Sequence, residues 1–397
     1  MELLIKNIRI VDASQDFHGD VYIKDGLIDE MGKNLIKNCG TINGNGNILM
    51  PSFIDLHCHF REPGFTHKED LESGSKAAVK GGYTVVNLMG NTKPVASTME
   101  IINYVNEKAR KIGLIEVNQV ATVTDGLKGE NIQHLNNIDE SVKFISDDGL
   151  GVNSSKVMME AMIFAKKSNL TIMSHAESKE FSSIDMRLAE NTMTWRDIHL
   201  CEYTGCSLHM AHVSTKESMQ YIIDGKNKGL KLTCEVMPHH IALNDKESQY
   251  RVNPPIRSLE DVEFLIKAIQ HGFVDAIATD HAPHTLEDKK NGAPGISGIE
   301  TSFSVSYTKL VKEGHISLNK LSELMSKNPG IIMGLNKGEV KIGYDADLVL
   351  IDLDNKITIN SNNFKSKGKN TPFDGKIVYG DILKTFKLGK EVYSKNI

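Results

Sequence analysis

Between Ser52 and Gly334 the chain repeats one pattern, a short apolar run followed by a stretch with helical spacing. The runs cover residues 54–59, 84–89, 115–123, 141–146, 170–174, 208–213, 230–236 and 275–279. Apolar residues at helical spacing separate them, as over 99–111, 155–167, 216–228 and 259–270. Parallel strands need a crossover of a dozen or more residues between them, and a helix is the usual one. Eight strands alternating with helices therefore predict an α/β fold, a (β/α)8 TIM barrel over residues 51–335. In that barrel, chemistry sits at the C-terminal ends of the strands.

The two ends of the chain read differently. Residues 1–50 are short alternating strands with turn signals at Lys24-Asp25-Gly26 and Gly44-Asn45-Gly46. Residues 336–397 return to that style, as in Ala346-Asp347-Leu348-Val349-Leu350-Ile351. Neither piece is long enough to bury a core alone, so both are expected to join in one small β-sandwich beside the barrel.

A chain of 397 residues has room for both parts. With 40% hydrophobic and 24% charged residues it reads as an ordinary globular protein. A net charge of −5 gives no basic footprint for nucleic acid, so no nucleic-acid partner is expected. Met1-Glu2-Leu3-Leu4-Ile5-Lys6 does not resemble a signal peptide, and no apolar stretch approaches the roughly 18 residues of a membrane span. A cytoplasmic protein without a membrane partner is expected. Five cysteines without a Cys-x-x-Cys pair argue against a disulfide framework or a thiolate zinc site, and Cys58 reads as core.

The histidines are more informative, because they gather at run ends. His57 and His59 close the first run and, two apart in a strand, point the same way. Asp147 and Asp148 follow the fourth run, His175 the fifth and Asp280 the eighth, while His212 lies in the sixth. Taken singly, each is equally a hydrogen-bonded strand end. In a barrel, however, these ends face one cavity, and four histidines with two aspartates supply donors that suit zinc, enough for two ions. Two ions roughly 3.5–4 Å apart lower the pKa of water from about 15.7 towards about 7 and so provide a nucleophile. A carboxylate must then carry the proton, and Asp280 is the natural candidate.

Longer segments carry a family resemblance. They are Asp55-Leu56-His57-Cys58-His59-Phe60-Arg61-Glu62-Pro63-Gly64, Asn91-Thr92-Lys93-Pro94, Ser146-Asp147-Asp148-Gly149, Ser174-His175-Ala176-Glu177, His212-Val213-Ser214-Thr215-Lys216-Glu217, Pro238-His239-His240, Asn253-Pro254-Pro255-Ile256-Arg257 and Ala278-Thr279-Asp280-His281-Ala282-Pro283-His284. In this order they resemble the dihydroorotases of the amidohydrolase superfamily, of the bacterial type bridged by an aspartate. The resemblance implies reversible, zinc-dependent cyclisation of N-carbamoyl-L-aspartate to L-dihydroorotate in pyrimidine biosynthesis. It assigns His57, His59 and Asp280 to one zinc, His175 and His212 to the other, and Asp148 to the bridge. Arg61, Asn91 and His284 match positions that hold the substrate carboxylate, and Asn253 matches one near the pyrimidine ring. A guanidinium fork suits a carboxylate on physical grounds as well. A homodimer, with possible association with a transcarbamoylase, is the implied assembly.

Some features depart from the family pattern or favour a rival. Gly90 and Lys93 stand where relatives have proline and arginine. Lys143 lies in the fourth run, where related hydantoinases and allantoinases carry a carboxylated lysine between their metals. Those enzymes form the alternative, and a metal-free scaffold barrel is a more distant one. His67, His239, His240 and His281 are expected outside the ligand set, and residues 285–298 read equally as a mobile flap or a plain surface loop.

Overall fold

The structure, a computed structural model, describes residues 1–395. Five strands come first: β1 (Glu2–Val11), β2 (Asp16–Lys24), β3 (Leu27–Gly32), β4 (Gly40–Asn43) and β5 (Ile48–Pro51). Eight short strands follow: β6 (Phe53–Cys58), β7 (Tyr83–Leu88), β8 (Glu116–Gln119), β9 (Phe144–Ile145), β10 (Thr171–Ser174), β11 (Ser207–Met210), β12 (Leu232–Val236) and β13 (Ala276–Ile277). One falls within or beside each of the eight apolar runs. All pair in parallel, in two arcs of order β6-β7-β8 and β9-β10-β11-β12-β13. Single parallel bridges, Ala121 to Ile145 and Cys58 to His281, join the arcs into a closed barrel.

Helices α1 (Leu71–Lys80), α2 (Met99–Ile112), α3 (Ser155–Lys167), α4 (Lys179–Ser182), α5 (Met186–Thr204), α6 (Lys216–Asn227), α7 (Pro238–Ala242) and α8 (Leu259–Gln270) lie in the crossovers. Their starts are chemically marked: the side chains of Ser154, Thr215 and Ser258 accept from the backbone N–H of Val157, Ser218 and Asp261. Such caps satisfy donors that the first helical turn leaves free. Met173 on β10 and Ala278 just past β13 stand two residues before His175 and Asp280. They lie one layer beneath these groups, in an apolar cluster with Leu56, Val120, Phe144 and Met237. The polar mouth thus rests on an apolar floor.

Both chain ends enter one further sheet, completed by β14 (Leu348–Thr358), β15 (Ile377–Lys387) and β16 (Lys390–Ser394). Its order is β16-β15-β14-β5-β1-β2-β3, with β4 beside β1. The junction is the antiparallel pair β5 and β14, which sets Pro51 opposite Leu348 and Ile48 opposite Ile351. The outer strand folds back: Ile28 N donates to Tyr344 O (2.9 Å), and Ile28 packs with Ile5, Ile23, Leu348 and Phe386. The layering expected of a sandwich therefore comes from one sheet turned on itself. Val11, Met50, Val349 and Ile351 face the other way and join the main core of the barrel.

Candidate active site

One carboxylate organises the mouth of the barrel. Asp148 Oδ1 lies 3.3 Å from His57 Nε2, 3.1 Å from His175 Nδ1 and 3.6 Å from His212 Nε2, and its Oδ2 lies 3.4 Å from His59 Nε2. Asp280 Oδ1 stands 3.2 Å from His59 Nε2 and 3.8 Å from His57 Nε2. The six residues singled out from strand ends are thus brought together, all of them buried. Asp147, the neighbouring candidate, turns away and accepts from the backbone N–H of Val123 (2.7 Å) and Thr124 (3.0 Å).

The far nitrogens of three rings are tied down. His57 Nδ1 meets Glu235 Oε1 at 2.7 Å, His59 Nδ1 meets Asn91 Oδ1 at 3.0 Å, and His175 Nε2 meets Glu177 Oε2 at 3.2 Å. Each acceptor assigns the ring proton to that nitrogen, which turns the lone pair of the other towards the shared centre. His57 Nε2 accordingly has no hydrogen-bond partner among the described residues although it is buried. His175 Nδ1 and His212 Nε2 approach to 2.8 Å. Donors of His57, His59 and Asp280, and of His57, Asp148 and His212, each lie within 4.8 Å of one another and could hold a metal ion. Imidazole with carboxylate is a donor set that suits zinc. The donor chemistry fits a metal ion, although the second group shares His57 and does not include His175, unlike the division that the resemblance implies.

Charge and backbone are both out of the ordinary here. Burial alone would raise the carboxyl of Asp148, but the surrounding His57, His175 and His212 outweigh it and hold the group well below the usual range. Asp280 is depressed in the same way by His59 and His57 against its burial. Arg61, His212 and Asp280 adopt left-handed backbone with φ of 59°, 35° and 43°. In residues with a β-carbon such conformations cost about 1–3 kcal/mol each and persist only where the surroundings impose them. Asp280 is held by its N–H, which donates to His57 O (2.9 Å).

Beside this cluster lies a cavity of about 210 Å³, lined in part by Arg61, Asn91, Asn253 and His284. It is smaller than the roughly 300–1,000 Å³ of pockets for drug-sized ligands, so it suits a small metabolite. Arg61 Nε donates to Pro283 O (3.3 Å) and its Nη2 meets His284 Nε2 (3.3 Å). Burial, then the nearby Arg61, push His284 down to about 3, so its neutral ring accepts from the guanidinium. Among the described residues no carboxylate pairs with Arg61. Asn91 is differently engaged: besides His59 it donates from Nδ2 to Asp148 Oδ2 (3.2 Å), so its amide positions two donor side chains. Asn253 Nδ2 donates to Glu177 Oε2 (2.8 Å), and Arg257 nearby is a structural clamp on buried Glu190 (2.9 Å).

Lys143 stands at the opposite end of its strand from Asp148. It precedes β9, is exposed, and donates from Nζ to Glu140 O (2.7 Å). Lys93 is also exposed, and only its backbone, packed on Gly64, bears on the loop. His240 is spent on Pro254 O (3.0 Å) and His281 faces Glu69 (3.4 Å). The segment after Asp280 forms a short helix, α9 (Leu286–Lys290), whose Lys289 Nζ donates to the carbonyls of Arg251, Ala293 and Gly295. Glu235 and Glu177 are the residues missed from sequence. For Glu235 the available signal was an acid inside the apolar run 230–236.

A profile described as the amidohydrolase family matches residues 48–392, and the chain belongs to that family. Within it, a dihydroorotase of Clostridium botulinum (strain Eklund 17B / Type B) is 56% identical over 398 residues, covering 100% of both chains. A dihydroorotase of Ruminiclostridium cellulolyticum is 38% identical over 426 residues, again with 100% of each covered. Among solved structures, an L-hydantoinase (dihydropyrimidinase) from Arthrobacter aurescens superposes with a TM-score of 0.91 at 24% identity, over 100% of this chain and 96% of that one. At that identity the likeness shows the fold alone.

Proposed function

We infer that the chain is a dihydroorotase, interconverting N-carbamoyl-L-aspartate and L-dihydroorotate. Its full-length relatives carry that name. The geometric observation that carries the substrate choice is Arg61, a guanidinium without a carboxylate partner among the described residues, facing a small cavity beside the donor cluster. A planar fork of this kind binds a carboxylate through two parallel hydrogen bonds. Dihydroorotate has one on its ring and dihydrouracil has none.

His57, His59, Asp148, His175, His212 and Asp280 would hold two zinc ions, with Asp148 between them. Bound there, the metal supplies Lewis acidity and ionises water near neutral pH. Arg61 and His284 hold the ring carboxylate, and Asn253 faces the ring. Asn91 keeps His59 and Asp148 in register. In the ring-opening direction, the elements of water add across the cyclic amide. Asp280 Oδ accepts the proton released as oxygen bonds to the carbonyl carbon, and delivers it to the ring nitrogen as the C–N bond breaks. Ring closure reverses both transfers. A homodimer working in the cytoplasm, with a transcarbamoylase as possible partner, completes the reading.

Turnover of dihydroorotate, dihydrouracil and allantoin by one metal-replete sample tests it. A site built around a charged group rejects the analogue lacking it by roughly 10⁴-fold, because its own donors are left unpaired. Equal turnover of dihydrouracil and dihydroorotate would hand the assignment to a hydantoinase.

A further inference from the structure

The connection between β14 and β15 leaves its sheet and lies against the loop that follows barrel strand β13. Asn370, only 4% exposed, is the centre of that contact. Its Nδ2 donates to Ala282 O (3.2 Å) and Gly295 O (3.0 Å), and its Oδ1 accepts from His284 N (2.9 Å) and Ser297 Oγ (2.7 Å). A carboxamide has two donors and two acceptor positions, so the whole capacity of this one is spent on a single loop. Ser297 N donates in return to Asn370 O (2.7 Å).

Two neighbours press on the same loop independently. A β-carbon on Gly368 would come within 2.6 Å of Pro283 Cβ and 2.4 Å of Ser297 Oγ, so backbone there packs directly on the loop. Ser366 Oγ and Lys367 N (3.2 Å) donate to the buried Glu69, which also accepts from Ser73 Oγ and faces His281 Nε2 (3.4 Å). Residue 366 thus reaches His281 only through Glu69, whereas 368 meets the loop directly at 283 and 297, and 370 meets it at 282, 284, 295 and 297. His284 and Gly295 line the cavity, and Pro283 O accepts from Arg61 Nε. The metal-donor side is held otherwise, since Asp280 N bonds to His57 O inside the barrel.

We propose that residues 366–370 are a strap by which the sheet domain positions the carboxylate-binding end of the active site, with Asn370 as the positioning residue for His284 and Arg61. The proposal rests on the reading of Arg61 and His284 as the carboxylate pair. Asn370 does not touch substrate; it fixes where the loop carrying His284 and Pro283 stands relative to Arg61. Displacing a binding group by about 1 Å can cost about 10²-fold.

The test uses Asn370→Ala, Asn370→Asp and Gly368→Ala in the full chain, with Arg61→Met alongside. Asn370→Asp keeps the size and the acceptor but sets a carboxylate oxygen against the carbonyls of Ala282 and Gly295. In each strap variant KM for dihydroorotate should rise roughly tenfold to 10²-fold with kcat little changed, the signature of lost binding rather than lost chemistry. Zinc content should match wild type, and trypsin should cut faster after Lys289 and Lys290. Unchanged KM, or parallel loss of kcat and zinc, overturns the strap. If Arg61→Met leaves KM unaltered, the carboxylate reading fails instead, and the tryptic rate alone then decides whether the strap holds the loop. Should Asn370→Ala not fold, Gly368→Ala and Asn370→Asp decide between the same outcomes.

Discussion

The two ends of the barrel treat buried charge in opposite ways. At the foot, Lys337 is 8% exposed and is met by Asp347 (2.8 Å), Glu116 (3.2 Å) and Asp345 (3.2 Å). These neighbours raise its ammonium above the ordinary range in spite of burial. At the mouth, Asp148 is ringed by four imidazoles, Arg61 meets no carboxylate among the described residues, and three residues sit in left-handed backbone. Buried charges normally require partners, because desolvation otherwise costs several kcal/mol. The foot finds its partners inside the fold, whereas the mouth leaves capacity that, on the proposed function, a cation and an anion from outside would take up. Matched charge marks what holds the barrel together, and unmatched charge marks what the barrel is for.

The contrast is broken most severely at Asp280. Asp280→Ala should lower turnover by about 10²–10⁴-fold from the lost proton carrier, with a further loss from the missing donor. The fold itself should persist, read by circular dichroism, so that the loss reports on chemistry and not on unfolding. Near-normal turnover would move the proton carrier elsewhere. Next, Arg61→Met should weaken kcat/KM for dihydroorotate by about 10²–10³-fold while leaving the trace activity on dihydrouracil in place. Arg61→Lys should fall between, since an ammonium gives up the two-point contact. Equal loss on both substrates would mean that Arg61 serves the fold and belongs with the foot.

Glu235→Gln probes how the mouth is prepared. Loss of the carboxylate behind His57 should weaken zinc binding about 10–100-fold, read by competition with a chelator. Unaltered affinity would show that the ring needs no such support. At the foot, Lys337→Met should cost about 3 kcal/mol in denaturant melts, because Asp347 is left buried and uncompensated. kcat should not move, and a change in kcat would erase the division between the two ends. Smallest of all, Lys143→Ala should alter neither zinc content nor turnover. Bicarbonate-dependent reactivation of metal-stripped wild-type protein that this substitution abolished would contradict the placement of Lys143 outside the site.

Periodicity reached far into this fold. Residues 155–167 and 259–270 read as helices and are α3 and α8, because Ser154 and Ser258 cap the apolar spacing at its start. Run ends were less legible. Residues 141–146 look like one strand, but only Phe144–Ile145 pairs, since Ser141 and Lys143 face solvent. For the site, alternation along a strand and convergence in a barrel were enough to gather six donors from five strand ends. What those rules do not reach is the shell behind them. Glu235 looks like a tolerated acid in a strand, and nothing local shows that the Asn91 amide, besides lining the cavity, lies between His59 and Asp148. Asn370 was beyond sequence reading, because its partners lie in a different part of the chain and leave no local pattern.

The pairing of β5 with β14 makes the barrel an insertion within a sheet, and this sets an order on events during synthesis. β1 to β5 emerge first with one edge of the sheet still open, and that edge is covered only when β14 has been made. An uncovered edge invites pairing with other chains, so the interval is the time of greatest exposure to aggregation. The same order governs chemistry. All six candidate metal donors have been made once residue 280 has left the ribosome, whereas residues 366–370, which hold the chain at 284 and 295, come later. A nascent chain can therefore own every donor and still lack a formed place for its substrate, which ties competence to completion of the polypeptide.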